Sequence, residues 1–347
     1  MKKLSWFNKL VFFLNMVVTV LTFVAYVLPF LAPKVFPILS VFTLLLPLML
    51  VLNFLFFIYW LLQFKKQMLL SGIVLLLGIT FINKFYKFSQ ENVPQTQEDF
   101  TLMSYNVRMF NLYRWVPDIN AKDSIKQFVG KQDPDILCFQ EYAPSDDVYF
   151  NHYKYKYIFS RNDRYKTGQA IFSKFPIVDK GSIKFPKSSN NVIYADLKKG
   201  NDTIRVYSMH MQSIKIAPDI HEKIDEEKSK RIFKRLSEAF AKQQLQAELL
   251  VAHKQQCNYP TIICGDLNNS AFSYVYRSIK GDMNDAFEEV GSGFGKSYNF
   301  KYYPARIDYI FSDNNFQTKS FNTFNGFVNS DHFPIMARLA ITTKEDK

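Results

Sequence analysis

The sequence predicts an α/β (α+β) domain of two β-sheets packed face to face with helices outside, preceded by an N-terminal bundle of about three transmembrane helices. Three observations lead there. No Asp or Glu occurs before Glu91 in a chain of 347 residues. Short segments rich in branched and aromatic residues then alternate with loops, the signature of strands. Among them lies a long charged segment with apolar residues at three- and four-residue steps, the period of an amphipathic helix.

The uncharged runs of the N-terminal part are residues 10–33, 35–64 and 67–83, broken by Lys34 and by Lys65 with Lys66. A bilayer core takes roughly 20 apolar residues as a helix, so the first two runs are long enough to cross it and the third is marginal. Lys2 and Lys3 ahead of an apolar stretch also suit a cleaved secretory signal. The stretch is too long for one and no small-residue cleavage site follows, so a retained anchor over residues 1–87 is expected. A single buried core domain would account for the same residues, but thirty uncharged positions in a row, 35–64, are rare in a soluble fold.

Orientation follows from the lysines. Lys2, Lys3, Lys9, Lys65 and Lys66 fall on one side and Lys34, Lys84 and Lys87 on the other, which puts the N-terminus in the cytoplasm. Three crossings then place the remainder at the outer face of the cell membrane, whereas a third segment that only dips into the bilayer leaves it inside. The formal charge is +12, but from position 90 onward 35 basic residues face 31 acidic ones, a net of +4. Basicity therefore marks the membrane flanks and gives little support to nucleic-acid binding. Cys138, Cys257 and Cys264 lack the spacing of a metal ribbon or disulfide scaffold, and Cys138 and Cys264 sit in strand-like runs as small core residues.

Residues 88–99, polar and without period, read as a linker, and residues 100–347 as the soluble domain. Its strand candidates are "FTLMSYNVRMF", "DILCFQEY", "YKYIFS", "GQAIFSKFPIV", "NVIYADLKKG", "DTIRVYSMHM", "PTIICGDLN", "RIDYIFSD" and "FPIMARLAI". Residues 219–256 form the long amphipathic helix, with Ile224, Ile232, Leu236, Phe240, Leu245, Leu249 and Leu250 on its apolar face, and Ile119–Val129 reads as another. Many strands with helices between them imply two stacked sheets covered by helices.

Several strands are apolar until their C-terminal end and then deliver polar residues. "TLMSYN" delivers Asn106, "DILCFQ" Glu141, "IRVYSM" His210, "TIICG" Asp266 with Asn268, "ARI" Asp308, and "SDHFPI" Asp331 and His332. A strand apolar to its last residue is buried on both faces, and a site opens at its end. One acid at such a place is turn chemistry. So many carboxylate, amide and imidazole groups together suggest a hard cation, Mg2+ or Mn2+, with waters and a substrate phosphate completing its shell.

The ordered set "SYNVRMFN", "CFQEY", "YSMHM", "CGDLNNS", "RIDYIF" and "SDHFPI" resembles the endonuclease/exonuclease/phosphatase superfamily, the metal-dependent phosphoesterases that include deoxyribonuclease I. The resemblance covers roughly residues 98–342. It implies a four-layer sandwich of two mainly antiparallel sheets flanked by helices. It also implies that Glu141 is the principal metal carboxylate with Asn106 beside it, that Asp331 assists the metal, and that Asp266 with Asn268 orients the attacking water or meets the scissile phosphate, Asp266 at the edge of the metal set. His332 matches the imidazole that acts as base or phosphate ligand, held by Asp308.

Phosphodiester hydrolysis needs an activated water, neutralised oxyanions and a proton for the leaving oxygen, which these side chains suit. His210 is then free to protonate the leaving group or stabilise its charge, and Arg108 to contact phosphate. One departure stands out. Deoxyribonuclease-like members support the histidine matched by His210 with a glutamate, where this chain has Gly168 and Gln169.

"GSGFGKS", residues 291–297, imitates a phosphate-binding loop, but Val290 stands where a glycine is needed, so a flexible loop beside the site is expected instead. His221 and His253 read as cap and surface residues of the long helix, His152 as exposed on an edge strand, and 226–235 as a solvated helix face. The expected function is that of a membrane-anchored phosphoesterase acting on nucleic acid or on a phospholipid or inositol-phosphate-like ester. A basic groove would favour the first substrate and an apolar rim near the bilayer the second. A catalytically silent membrane receptor or scaffold is the alternative, and its mark would be a missing carboxylate or imidazole.

Overall fold

The acid-free N-terminal run folds as helices, which satisfy their own backbone hydrogen bonds without water. A computed structural model describes residues 4–88, 93–116, 120–143, 150–162, 165–214, 226–301 and 303–342. His221, Ile224 and the rest of the expected helix start from 219 to 225 lie outside these residues, as do Ile119 and linker positions 89–92.

Helix α1 (Trp6–Val27) starts where the Ser5 side chain accepts the Asn8 N–H at 3.2 Å. Helix α2 (Pro37–Val41) passes through a 3₁₀ turn, Phe42–Leu45, into α3 (Leu46–Leu62). Trp6–Phe30 and Pro37–Leu62 are each long and apolar enough to cross a membrane. The third uncharged run is not one straight span. It forms α4 (Met68–Leu77) and α5 (Ile79–Phe85), bent by 69°. Gly78 occupies the bend because a Cβ there would collide with Tyr26 Oη.

Polar side chains buried within the bundle are matched to one another. Asn15 Nδ2 donates to Ser71 Oγ at 2.7 Å and Trp60 Nε1 to Asn15 Oδ1 at 3.1 Å, while Asn53 Nδ2 donates to Thr22 Oγ1 at 2.8 Å. Asn8 pairs with Gln63 at one end, and Tyr26 stacks on Phe81 at the other. These contacts set α3 antiparallel to α1 and bring α4 and α5 back along α1 in its own direction.

The rest of the chain contributes β1 (Phe100–Asn106), α6 (Ala121–Gln132), β2 (Ile136–Tyr142), β3 (Tyr155–Asn162), β4 (Tyr165–Ser173), β5 (Ile177–Lys184), β6 (Asn191–Lys199) and β7 (Asp202–His210). Then come α7 (Glu226–Gln255), β8 (Thr261–Asp266), α8 (Tyr274–Lys280), β9 (Asn284–Asp285), α9 (Ala286–Val290), β10 (Asp308–Ser312), β11 (Phe316–Thr323) and β12 (Ile335–Ile341). They form two mixed six-stranded sheets, β11-β12-β1-β2-β4-β3 and β5-β6-β7-β8-β10-β9.

Between the sheets lies a core containing Leu102, Cys138, Ile193, Val206, Cys264 and Leu339. Ile125 and Val129 of α6 cover the outer face of the first sheet, and Ala247 and Leu250 of α7 with Val275 and Ile279 of α8 cover that of the second. Helix, sheet, sheet and helix thus make four layers.

"GQAIFSKFPIV" is not one strand. Pro176 has no N–H to give to a ladder, and the chain leaves the first sheet after β4 and joins the second as β5. Strand β11, whose "FQTKSFNT" shows no clean alternation, and the short α8 and α9 were not legible in the sequence. His152 is exposed as expected, but on the turn before β3 rather than on an edge strand. His253 is not a free surface group, since its Nδ1 meets the Tyr207 hydroxyl at 2.9 Å.

The helical bundle packs directly on the sandwich. Phe272 joins Ala25, Leu28, Leu46 and Leu50 in one apolar cluster. Lys34 N–H donates to Gln244 Oε1 at 2.8 Å, and Lys87 and Gly293 exchange both backbone hydrogen bonds at 2.9 Å. The loop 291–297 is therefore tied to the end of the N-terminal helical bundle.

Candidate active site

Two parallel strand pairs set the geometry. Strands β1 and β2 run parallel with Asn106 opposite Gln140, and β7 and β8 run parallel with His210 opposite Asp266. Parallel neighbours finish at the same edge, so each sheet presents the polar ends of two apolar strands side by side. The sheets face each other, and the two edges meet. Asn106 Nδ2 donates to Asp266 Oδ2 across the sandwich at 3.0 Å.

Asp308, Asp331 and His332 reach this rim differently from the expectation that strand ends deliver them. Asp308 is the first residue of β10, antiparallel to β8 and opposite Asp266. Asp331 and His332 precede β12, which runs antiparallel to β1 between β1 and β11. An antiparallel strand begins where its neighbour ends, so strand starts complete a rim that strand ends began.

Glu141 is brought in by a bulge. The pairing of β2 with β4 slips between Gln140 and Tyr142, leaving Glu141 unpaired at φ +49°. A bulge re-aims the side chain of its extra residue, and here it turns Glu141 toward His210. Asn268 is also left-handed, at φ +53°, with its N–H on Asp266 Oδ1 at 2.8 Å and its amide on Asp266 Oδ2 at 2.9 Å.

The acid–imidazole contacts are unequal. His332 Nδ1 lies 2.9 Å from Asp308 Oδ2, a buried hydrogen bond that leaves Nε2 facing Asp266 Oδ2 at 3.7 Å. Burial opposes a charge on His332, but Asp308 and Asp266 outweigh it and lift the imidazole to about 10. Burial drives His210 the other way, to about 3, helped by the His332 charge. Burial also raises Asp266 to about 8 and pushes Glu141 above its ordinary value, with Asp331 adding to the latter.

His210 Nε2 has no hydrogen-bond partner and stands 3.7 Å from both Glu141 Oε1 and Asp266 Oδ2. Gln169, where a supporting acid was missing from the sequence, accepts from Ser208 and donates to Asn191 instead. Arg108 is already engaged: its Nη1 is 3.1 Å from Asp331 Oδ2, and its guanidinium lies 4.3 Å from the Trp115 ring centre.

Tyr298 and Ser297 were missed by sequence reasoning. The Tyr298 ring packs edge-on against His332 at 5.0 Å, and Ser297 Oγ accepts the amides of Ile307 and Asp308. Ser297 ends the Gly-rich loop and Tyr298 follows it directly, where the sequence signal pointed toward a different chemistry.

The donors suit a hard divalent cation. They are carboxylate and amide oxygens without thiolates, burial raises the Asp266 and Glu141 carboxyls, and Asp308 Oδ1 and His210 Nε2 are orphaned. Among the described residues the tightest grouping of metal-capable atoms is Asp266, Asp308 and His332, within 4.8 Å of one another. It shares only Asp266 with the expected ligands Glu141, Asn106, Asp331 and Asp266.

The rim opens into a cavity of about 670 Å3. Its lining includes Arg108, Glu141, Asp266, Asn268, Asp331 and His332 together with Leu44 and Phe85 of the N-terminal helices, Ile232 and Leu236 of α7, and Phe294 and Phe300.

A family profile described as the endonuclease/exonuclease/phosphatase family matches residues 103–332, and one described as a domain of unknown function matches residues 8–85. No curated protein matches the chain in sequence. Solved structures similar in fold include the human Nocturnin catalytic domain with bound sulfate anion, with 17% identity over 73% of this chain and 97% of that one and a TM-score of 0.51. D. rerio TDP2 complexed with single strand DNA product has 16% identity over 70% and 99% at a TM-score of 0.51. An endonuclease/exonuclease/phosphatase from Bacteroides vulgatus has 18% identity over 72% and 100%, also at 0.51.

Proposed function

The chain belongs to the endonuclease/exonuclease/phosphatase family, and from that premise we propose that it is a membrane-anchored, divalent-metal-dependent phosphoesterase. The observation that carries the proposal is the meeting, at one rim, of Asn106 and Glu141 from one sheet with His210, Asp266 and the Asp308–His332 pair from the other elements.

Glu141, Asn106, Asp331 and Asp266 would hold Mg2+, or Mn2+ in its place. What such an ion supplies is a bound water of lowered pKa and a polarised phosphoryl oxygen. Asp308 fixes the His332 tautomer with the reactive position at Nε2. With no cation nearby, His332 keeps its proton and donates to a phosphate oxygen. With a divalent charge held among the neighbouring carboxylates, the His332 imidazole would lose that proton more readily, and Nε2 would then accept a proton from water.

His210, kept neutral by burial, donates an N–H to a developing oxyanion rather than serving as an acid, in keeping with the absence of a supporting carboxylate. Asn268, tied to Asp266 by two hydrogen bonds, orients the same region, and Arg108 pairs with Asp331 at the edge where a phosphate would enter.

We assign residues 1–87 to the anchor and 100–347 to the catalytic domain, at the outer face of the cell membrane. Three features support three crossings: the course of α4 and α5 along α1, Lys34, Lys84 and Lys87 at the sandwich end, and, among the described residues, Lys9, Lys65 and Lys66 at the other.

The test is a screen of the purified full chain with Mg2+ or Mn2+ over DNA, RNA, sphingomyelin, inositol phosphates and a bis-aryl phosphate, beside Glu141→Ala and His332→Ala. Metal-dependent hydrolysis lost in both variants is expected. Inactivity of the wild-type protein on all of them at every pH would turn the assignment to a silent scaffold.

A further inference from the structure

The cavity at the rim is lined by two chemically different sets of residues, and only the polar set is needed for phosphoester chemistry. Its volume of about 670 Å3 falls within the roughly 300–1,000 Å3 of small-molecule sites, well beyond what a phosphate and a metal ion occupy. The apolar half of the lining is Leu44 and Phe85 of the N-terminal helices, Ile232 and Leu236 of α7, and Phe294 and Phe300. Leu44 and Phe294 leave 37% and 41% of their surface uncovered. Leu44 lies within Pro37–Leu62 and Phe85 ends the bent pair, so this wall is continuous with segments apolar enough to enter a bilayer.

Positive charge does not suit the cavity to a polynucleotide. Its cations are Lys84, Arg108 and Arg306. Arg108 is spent on Asp331 at 3.1 Å and Arg306 on Asp285 at 2.7 Å, while Lys84 lies over the Tyr276 ring. A strand-tracking groove needs a succession of cations free for phosphates and stacking faces along it.

We infer that the apolar half is a subsite for the hydrocarbon chain of a bilayer lipid whose phosphoester lies against Glu141, Asp266 and His332. The inference rests on the phosphoesterase reading and narrows its substrate to amphiphilic phosphoesters taken from the membrane. A chain moving from bilayer to this wall exchanges one apolar surface for another, so the subsite gains little affinity. It sets register, placing the headgroup ester at a fixed distance from the acids.

The test uses the full chain in phosphatidylcholine nanodiscs containing phosphatidylglycerol with a diazirine midway along one acyl chain. After irradiation, adducts are expected on Ile232 or Leu236 and on Phe294 or Phe300. They should fall at least fivefold in the cavity-filling Ile232→Trp/Leu236→Trp variant, with thermal unfolding reporting that it folds. Adducts confined to outward anchor residues such as Val20, Leu62 and Leu76 would overturn the inference, as would hydrolysis of single-stranded DNA without adducts on α7.

Methyl p-nitrophenyl phosphate with Mg2+ is assayed in parallel on the same sample. Its hydrolysis without adducts on α7 removes the chain subsite and leaves the phosphoesterase. Adducts on α7 without hydrolysis of any ester keep the subsite and remove the phosphoesterase.

Discussion

Glu141 lies in the left-handed region at φ +49°, a conformation that costs a non-glycine residue about 1–3 kcal/mol, and the bulge in β2 holds it there. Such strain at a carboxylate facing a second sheet is what a ligand-holding role would require. Glu141→Ala and His332→Ala should each lower turnover of a bis-aryl phosphate by about 10²–10⁴-fold, the first with an unfolding midpoint near wild type and the second with a lower one, because it leaves the buried Asp308 without its partner. An undiminished rate would remove the role of that residue. Away from the site, Asp99 binds Lys319 at 2.8 Å, and both are buried. Burial raises the Asp99 carboxyl, but Lys319 and Thr96 outweigh it and hold it below its ordinary 3.8. Stability from this carboxylate is therefore complete above that value and fades as pH falls through the lower folded-state value. Asp99→Asn should cost about 1.5–3 kcal/mol near neutrality, and the gap to wild type should close only on acidification below about pH 4. A gap unchanged in acid would contradict the assignment.

Among elements, β8 is tightly specified at its C-terminal end. Gly265, one residue before Asp266, has φ +126°, and a Cβ there would run into the Met209 carbonyl oxygen of the parallel neighbour β7. Gly265→Ala should lower stability by about 1–3 kcal/mol and move Asp266 relative to Asn106, so activity should fall further than stability does. Thermal unfolding and turnover measured together check this. In the bundle, Asn53 joins α3 to α1 through Thr22 at 2.8 Å. Asn53→Val should loosen the pair by about 0.6–2 kcal/mol, read as a lower unfolding midpoint in detergent. No change would mean that the polar ladder contributes nothing to association.

For the whole molecule, the packing of Phe272 among Ala25, Leu28, Leu46 and Leu50 makes anchor and sandwich neighbours that share a cavity wall. The cysteines give a native reporter of sidedness, since Cys138 and Cys264 are buried while Cys257 is partly exposed on the sandwich. With the domain at the outer face, a membrane-impermeant maleimide should label Cys257 in intact cells and lose the label in Cys257→Ser. Labelling only after the cells are opened would place the domain inside and reduce the third segment to one that dips into the membrane.

The sequence by itself determined the apolar N-terminal segments, the strand-rich sandwich and the polar residues at Asn106, Glu141, His210, Asp266, Asp308 and His332. Each of those is a local matter: the length of an uncharged run, the period of a strand, the residue at which an apolar run stops. Tertiary structure alone decided that β12 inserts between β1 and β11, that strand starts and strand ends share one rim, and that Glu141 enters on a bulge. Register and sheet order are set by which buried faces fit together across distant parts of the chain, and no local window carries that information. The same holds for Arg108 turning to Asp331 and for Leu44 and Phe85 closing a cavity with α7, contacts between residues that are strangers in the sequence.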